Sequence, residues 1–264
     1  MKELKASILV PTLGERKEEI VRLLNSLLAQ TYKNLEVIMI SQDNYESTEK
    51  ICTLYKRKIE IRHIFLEQKG LSLARNTGLQ YVSGDVIILS DDDCWYPKRA
   101  VENILKYFKK YKWDILLTQI YDPYKKVYYK NYSNRPQLIN NSIELLSRSS
   151  IEIAFRNIPQ IELFDEKFGL GARYICSEEI DFLIRNFRKN MCILYVPRIT
   201  VYHRKKKSYS NKKQVIAKGA FYRKNFNIMI SFIVLLRDYF VKHEKNLKNF
   251  LIGYFGLDDS HMKQ

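Results

Sequence analysis

Three aspartates in succession, Asp91-Asp92-Asp93, directly follow the apolar run Val86-Ile87-Ile88-Leu89. Adjacent carboxylates repel one another unless a cation or strong donors neutralise them. Hard divalent cations such as Mg²⁺ or Mn²⁺ take oxygen ligands and often bridge phosphates, so the cluster suits a metal-assisted phosphate site. Lying ahead of Pro97, the same residues would also complement a helix N-terminus. A second group is Arg75-Asn76, within the stretch 70–78, which could hold a diphosphate or pin the aspartates, although taken alone it reads better as an amphipathic helix with an exposed Arg. A third is Ser177-Glu178-Glu179-Ile180-Asp181, with Arg185 one turn later. A carboxylate at a helix start can take the proton of an acceptor hydroxyl, although acidic residues there also serve the helix dipole. The fourth is His203, which ends a strand-like stretch at 199–202 and precedes the basic run Arg204-Lys205-Lys206-Lys207. It is a candidate metal or phosphate partner, or an ordinary surface histidine.

The elements that must position these groups follow from the apolar pattern. Strands are expected at 6–10, 35–40, 59–66 and 86–89, and helices at 17–30, 46–58 and 71–81, with another opened by Pro97 and running to about 111. This β-α-β-α-β-α-β order implies an α/β fold with a mostly parallel, Rossmann-like sheet flanked by helices. Ligands of such sheets sit beyond the C-terminal strand ends, here the tips at 11–16, 41–44, 67–70 and 90–96. Residues 121–141 read as an irregular segment or hairpin that could line an acceptor groove. Beyond it an amphipathic helix is expected at 142–149, a strand at 151–156 and a helix at 177–188. The residues after about 205 read as basic and helical.

The 264 residues and 46% hydrophobic content suit one large domain with an appendage. The net charge of +16 favours a polyanionic partner, whether nucleic acid, anionic lipid or a phosphorylated substrate. The four cysteines, Cys52, Cys94, Cys176 and Cys192, lie far apart without a C-x-x-C pair, which argues against a zinc site or a disulfide framework. The N-terminus carries no long apolar signal region. The apolar run at 228–236 is cut short by Arg237 and Asp238, below the roughly 20 residues of a spanning helix. A cytoplasmic setting is the resulting expectation.

Taken in order, these segments resemble glycosyltransferase family 2, whose catalytic domain has the GT-A fold. Ile8-Leu9-Val10-Pro11-Thr12-Leu13-Gly14 looks like the family's first strand and nucleotide-binding turn. Ser26-Leu27-Leu28-Ala29-Gln30-Thr31-Tyr32, followed by Leu35-Glu36-Val37-Ile38, resembles its passage into the second strand. Ala74-Arg75-Asn76-Thr77-Gly78, then Gly84-Asp85-Val86 and the aspartates, match the segment leading to the D-x-D motif. The stretch 164–174 with Ser177-Glu178-Glu179-Ile180-Asp181 resembles the acceptor-side motif and its catalytic acid pair. Tyr195-Val196-Pro197 and Val201-Tyr202-His203 look like a strand pair closing the domain. The resemblance covers about residues 5–225.

It implies a metal-dependent, inverting transfer of a sugar from a nucleotide-sugar donor, UDP- or dTDP-linked, to a hydroxyl of a glycan or lipid-linked acceptor in bacterial surface-polysaccharide synthesis. By position, Pro11, Thr12 and Glu15 would border the nucleobase. Asp91 and Asp93 would contact metal and ribose, with Asp92 able to substitute and Asn76 beside Arg75 on the donor. Arg75 and His203 would face the diphosphate or its Mn²⁺ or Mg²⁺. Glu179 would be the general base, with Glu178 next in line and Asp181 third. The chain departs from the family at Ser41-Gln42-Asp43-Asn44, where an acidic pair is usual; Asp43 is the candidate base-reading residue, one place out of register. Ser90 stands where many members have Asp, which leaves two registers for the D-x-D. The implied organisation is a catalytic domain over 1–205, with a nucleotide half to about 120 and an acceptor half over 121–205, followed by a basic helical extension over 206–264. That extension could meet the inner face of an anionic membrane, pack on the domain or form a homodimer. A nucleotidyltransferase is disfavoured because 13–16 lacks a glycine-rich phosphate loop. A purely nucleic-acid-binding protein is disfavoured because the aspartates would repel phosphates.

Overall fold

The computed structural model describes residues 3–110, 112–206, 211–241 and 247–256, the side chains of 237–241 excepted. Its first half alternates β1 (Ala6–Thr12), α1 (Lys17–Leu28), β2 (Leu35–Ser41), α2 (Tyr45–Tyr55), β3 (Glu60–Phe65), α3 (Leu71–Leu79), β4 (Val86–Leu89) and α4 (Ala100–Lys110). Every residue of β1, β2 and β4 is buried, as expected where helices cover both sheet faces. The pleat divides them between two cores. Ile8, Val10, Val37 and Met39 pack in the core with Leu23 of α1, Cys52 of α2 and Ile104 of α4. Leu9, Ile38 and Ile40 join Ala74 of α3 in the other.

Gly78 marks the closest approach of α3 to that second face. A Cβ there would come within 2.4 Å of Leu9 Cδ1 and 2.6 Å of Ile40 Cδ1. Gly78→Ala is expected to cost about 1–3 kcal/mol through overpacking. Urea unfolding checks this as a lower midpoint at unchanged m-value.

The second half comprises β5 (Ile115–Asp122), β6 (Val127–Tyr128), β7 (Gln137–Leu138), β8 (Ile153–Arg156), α5 (Glu178–Arg188) and β9 (Ile193–Tyr202). The strand order is β3-β2-β1-β4-β8-β5-β9-β7, with β6 paired to β5. Pairing is parallel from β3 to β4 and between β5 and β9, while β8 runs antiparallel between β4 and β5. The protein is therefore α/β, a central sheet flanked by helices, with the parallel part carrying the strand tips of the first half. The reversal at β8 brings its start, next to Glu152, to the C-terminal end of β4.

Several local expectations change. Residues 121–141 form the end of β5, a hairpin back through β6, and β7. The hairpin turns on Asp122, whose Oδ1 accepts from the amides of Tyr124 and Lys125. No α-helix forms over 142–149. Ser142–Leu145 is a single 3-10 turn with its first amides capped by Asn141, and only Leu145 in that stretch is fully buried. So little apolar contact does not sustain a two-turn helix. The strand expected at 151–156 starts only at Ile153, after a 3-10 turn over Ser150–Glu152. The closing segments 195–197 and 201–203 are not a strand pair: residues 195–197 and 201–202 lie in the single strand β9, and His203 directly follows it. Pro197 falls where the β5–β9 register shifts, between the pairs Leu117–Tyr195 and Gln119–Ile199, a position where a missing amide is tolerated.

Beyond β9 come α6 (Lys212–Asn225), α7 (Ile228–Val241) and α8 (Leu247–Phe255). Asn211 and Gln214 form a reciprocal capping box at the start of α6. No helix among the described residues is long and apolar enough to cross a membrane. Lys207, the last residue of the basic run, lies outside the described residues.

Candidate active site

All four strand-tip loops border one cavity of about 330 Å³. The loop after β1 contributes Pro11, Thr12, Glu15 and Arg16, and the tip of β2 contributes Gln42. Lys69 and Gly70 precede α3, and Asp91, Asp92 and Asp93 follow β4. His203, directly after β9, and the loop residues Leu170 and Gly171 complete the wall.

Each aspartate has its own partners. Asp92 accepts from Thr12 Oγ1 at 2.7 Å and from Arg16 at 3.1 Å. Burial nevertheless lifts its carboxyl above the usual range, Thr12 and Arg16 opposing that shift and Asp93 adding to it. For Asp93 burial acts upward too, but His203 at 3.0 Å, Lys206 at 3.1 Å and Arg16 at 2.8 Å together hold it well below the carboxylate range. Asp91 is raised by burial and by Asp93, Asp92 and Glu178, against the pull of Arg75.

Arg75 links the aspartate cluster to the start of α5. Its guanidinium is wholly buried and reaches Asp91 Oδ1 at 3.3 Å with one nitrogen and Glu178 Oε1 at 3.1 Å with the other. Glu178, bonded to Arg75, is buried, whereas the Glu179 carboxyl carries no hydrogen bond from another side chain among the described residues. Burial and the adjacent Glu178 charge push Glu179 up to about 8, against Arg75 and Lys130. Lys130 is itself fixed at 2.5 Å by the buried Glu152.

Three residues expected at the site are turned elsewhere. Asp181 is fully buried and gripped by Arg185 at 2.8 Å, Asn225 at 2.9 Å and Lys224 at 2.7 Å, which ties α5 to α6 and leaves no free oxygen for a base. Asn76 bonds both backbone groups of Phe164 and the Glu166 carboxylate, so it anchors the 164–166 segment and does not border the cavity. Asp43 points outward to Lys69 at 2.6 Å. Gln42 takes its place in the cavity wall. Its Nε2 donates to the carbonyls of Gln68 at 2.6 Å and Gly70 at 3.1 Å, which assigns the amide and aims Oε1 away from them. Arg16, Gln42, Lys69 and Lys206 went unread as site residues although the first three lie in the strand-tip loops; the tip rule was the signal that could have found them.

The loop over 168–171 closes on the start of α3. Leu71 N donates to Leu170 O at 2.8 Å, and Ser72 Oγ donates to Phe168 O at 2.6 Å. Gly171 sits at φ +80°, a conformation that favours glycine, and Gly70 packs tightly against it, 3.2 Å from where a Cβ would be.

A divalent cation fits the Asp93–His203 pair. One carboxylate, after β4, and one imidazole, after β9, stand side by side where the Trp95–Tyr202 bridge joins the two segments, and the buried His203 Nδ1 has no hydrogen-bond partner among the described residues. No group of three or more His, Cys, Asp or Glu side chains among the described residues converges on one point. Asp91 turns instead to Arg75. Two protein ligands completed by phosphate oxygens and water are the usual arrangement for Mg²⁺ at a nucleotide.

Residues 7–169 match the family model described as Glycosyl transferase family 2. The chain is 31% identical over 119 residues to glycosyltransferase GlyA of Streptococcus pneumoniae serotype 4, covering 44% of this chain and 17% of that protein. It is 30% identical over 101 residues to the minor teichoic acid biosynthesis protein GgaB of Bacillus subtilis, covering 37% of this chain and 11% of that protein. The matched stretches thus span less than a fifth of either relative. In fold, the chain resembles S. aureus TarS 1–349 in complex with UDP-GlcNAc, with a TM-score of 0.70 at 17% identity over 96% of this chain and 79% of that one.

Proposed function

Because the chain belongs to glycosyl transferase family 2, we propose that it moves a sugar from a UDP- or dTDP-sugar onto a hydroxyl of a glycan or lipid-linked acceptor in a single inverting displacement. The observation that carries this reading is the two-ended ion pair of Arg75, which joins an aspartate of the donor cavity to the acid pair at the start of α5. A leaving diphosphate and an attacking hydroxyl need such neighbouring sites.

In this reading Glu179 accepts the hydroxyl proton as that oxygen attacks the anomeric carbon from the face opposite the diphosphate. Its carboxyl, pushed up to about 8, is in its ionised form a stronger base than an ordinary carboxylate. Arg16, Lys69 and Lys206 border or face the cavity and offset the charge that develops on the leaving group. Asp93 and His203 would hold Mn²⁺ or Mg²⁺, which when bound shields the diphosphate as a Lewis acid. The acceptor class is that of bacterial surface polymers, in keeping with the teichoic acid role of GgaB.

Gln42 supports the choice of base. With its amide hydrogens engaged, Oε1 offers an acceptor for the imide N–H of uracil or thymine, where cytosine has no matching donor. Thermal shift against a panel of nucleoside diphosphates and their sugars, with and without Mn²⁺, tests the donor assignment, since a ligand of the folded state raises Tm with its affinity. A metal-enhanced shift is expected with UDP or dTDP and not with CDP. Gln42→Ala is expected to weaken that affinity by about tenfold, the worth of one hydrogen bond. Equal shifts with CDP and UDP would remove Gln42 from base recognition.

A further inference from the structure

Helix α7 is packed on one side and bare on the other. Ser231 and Val234 are buried, whereas Ile228, Met229, Phe232 and Ile233 are each more than half exposed, and Leu236 is 40% exposed. This spacing sets all five on one stripe of the helix. No charged residue occurs between Asn227 and Leu236. Contacts with α6 and α8 hold the helix from behind, so the stripe faces outward. Single exposed apolar residues are ordinary, but a contiguous stripe marks an interaction surface.

The chemistry of the partner follows from the charge around it. Residues 206–264 hold twelve Lys and Arg against four Asp and Glu, a net +8 and half the charge of the chain. Two copies joined through this face would bring two such segments together, and like charge opposes that contact. An anionic lipid surface complements the apolar stripe and the cations at once. The 14 residues of α7 extend about 21 Å, short of a hydrocarbon core of roughly 30 Å, so the helix lies along such a surface and does not cross it.

We propose that α7 rests in the interfacial plane of an anionic bilayer, its five exposed apolar side chains among the upper acyl chains, with exposed cations of the same segment such as Lys212, Lys213 and Lys248 available to the headgroups. Each Lys or Arg near the surface strengthens binding roughly fivefold. Docking does not depend on the transfer chemistry, and its test reads binding alone.

The test is flotation of the full chain with vesicles of phosphatidylglycerol and phosphatidylcholine in equal parts, and with phosphatidylcholine alone. The chain is expected to float with the anionic vesicles at low salt, to be released as salt screens the headgroups, and not to float with phosphatidylcholine. A Phe232→Ser/Ile233→Ser double variant, which alters only exposed side chains, is expected to bind about tenfold more weakly at unchanged Tm. Sedimentation velocity on both proteins is expected to show the same species. Absence of flotation by the wild type at low salt overturns docking, and undiminished flotation of the double variant overturns the role of α7. A wild-type dimer that the double variant abolishes would make a second copy the occupant.

Discussion

Glu179→Gln is expected to lower kcat by about 10²–10⁴-fold, the range for removal of a general base, while donor-induced thermal stabilisation stays intact. The glutamine keeps the shape of the side chain and removes the lone pair that takes the proton. Donor affinity is spared because Glu179 does not border the nucleotide cavity. The wild-type pH profile supplies an independent check. Burial and Glu178 push Glu179 up to about 8, so the ionised, proton-accepting form is lost as pH falls through that value. The rate should therefore climb through the neutral range and level off above about pH 8, and the residual rate of Glu179→Gln should lack that limb. Stability moves the opposite way. A carboxyl raised on folding contributes stability that is fully present below its unfolded value and disappears as pH rises through about 8. Urea unfolding of wild type and variant across this range should show the wild type losing stability relative to Glu179→Gln. Normal turnover by the variant would move the base to another residue.

Arg75→Met is expected to be the most destabilising single change in the site. The guanidinium is wholly buried between Asp91 and Glu178, and removing one partner of a buried ionic group costs about 3–5 kcal/mol because the others are left uncompensated. For a chain of this size that is a fall in Tm of roughly 6–15 °C. The electrostatic origin has a signature. Without Arg75, Asp91 loses the cation that favours its charged form, so the deficit should narrow as pH falls and Asp91 takes up a proton. A deficit that is the same at every pH would assign the loss to packing instead, since Arg75 also lies 5.3 Å over the Phe164 ring. Thermal melts of both proteins between acid and neutral pH separate the two.

The strand-helix alternation, the strand tips and the aspartate cluster were legible because each is a local pattern. A buried strand needs only its own apolar run, and the C-terminal ends of parallel strands converge by geometry. What stayed hidden depends on contacts between distant residues. Asp181 shares its helix start with Glu179, and nothing nearby in sequence reveals that Lys224 and Asn225 close over it. That Gln42 and not Asp43 borders the cavity was unreadable for a similar reason. It is settled by carbonyls at Gln68 and Gly70 and by Lys69 drawing Asp43 outward. The helix expected over 142–149 failed because an amphipathic pattern lends weight only where a core awaits it, and there one leucine alone is fully buried. The C-terminal helices were legible as helices, but which face of α7 would stay uncovered was not.

The clasp between the 168–171 loop and the start of α3 bears on how such a chain can be recombined. Leu170 and Gly171 form part of the cavity wall while lying in the segment that leads to Glu179, and Gly171 packs tightly on Gly70, 3.2 Å from where its Cβ would be. A chimera that joins this nucleotide half to the acceptor half of a relative would inherit one side of the clasp without the other. Exchange of acceptor specificity by segment swapping should therefore succeed only when residues 69–72 travel with the graft, and natural variation at Gly70 and Gly171 should be correlated across descendants of this sequence.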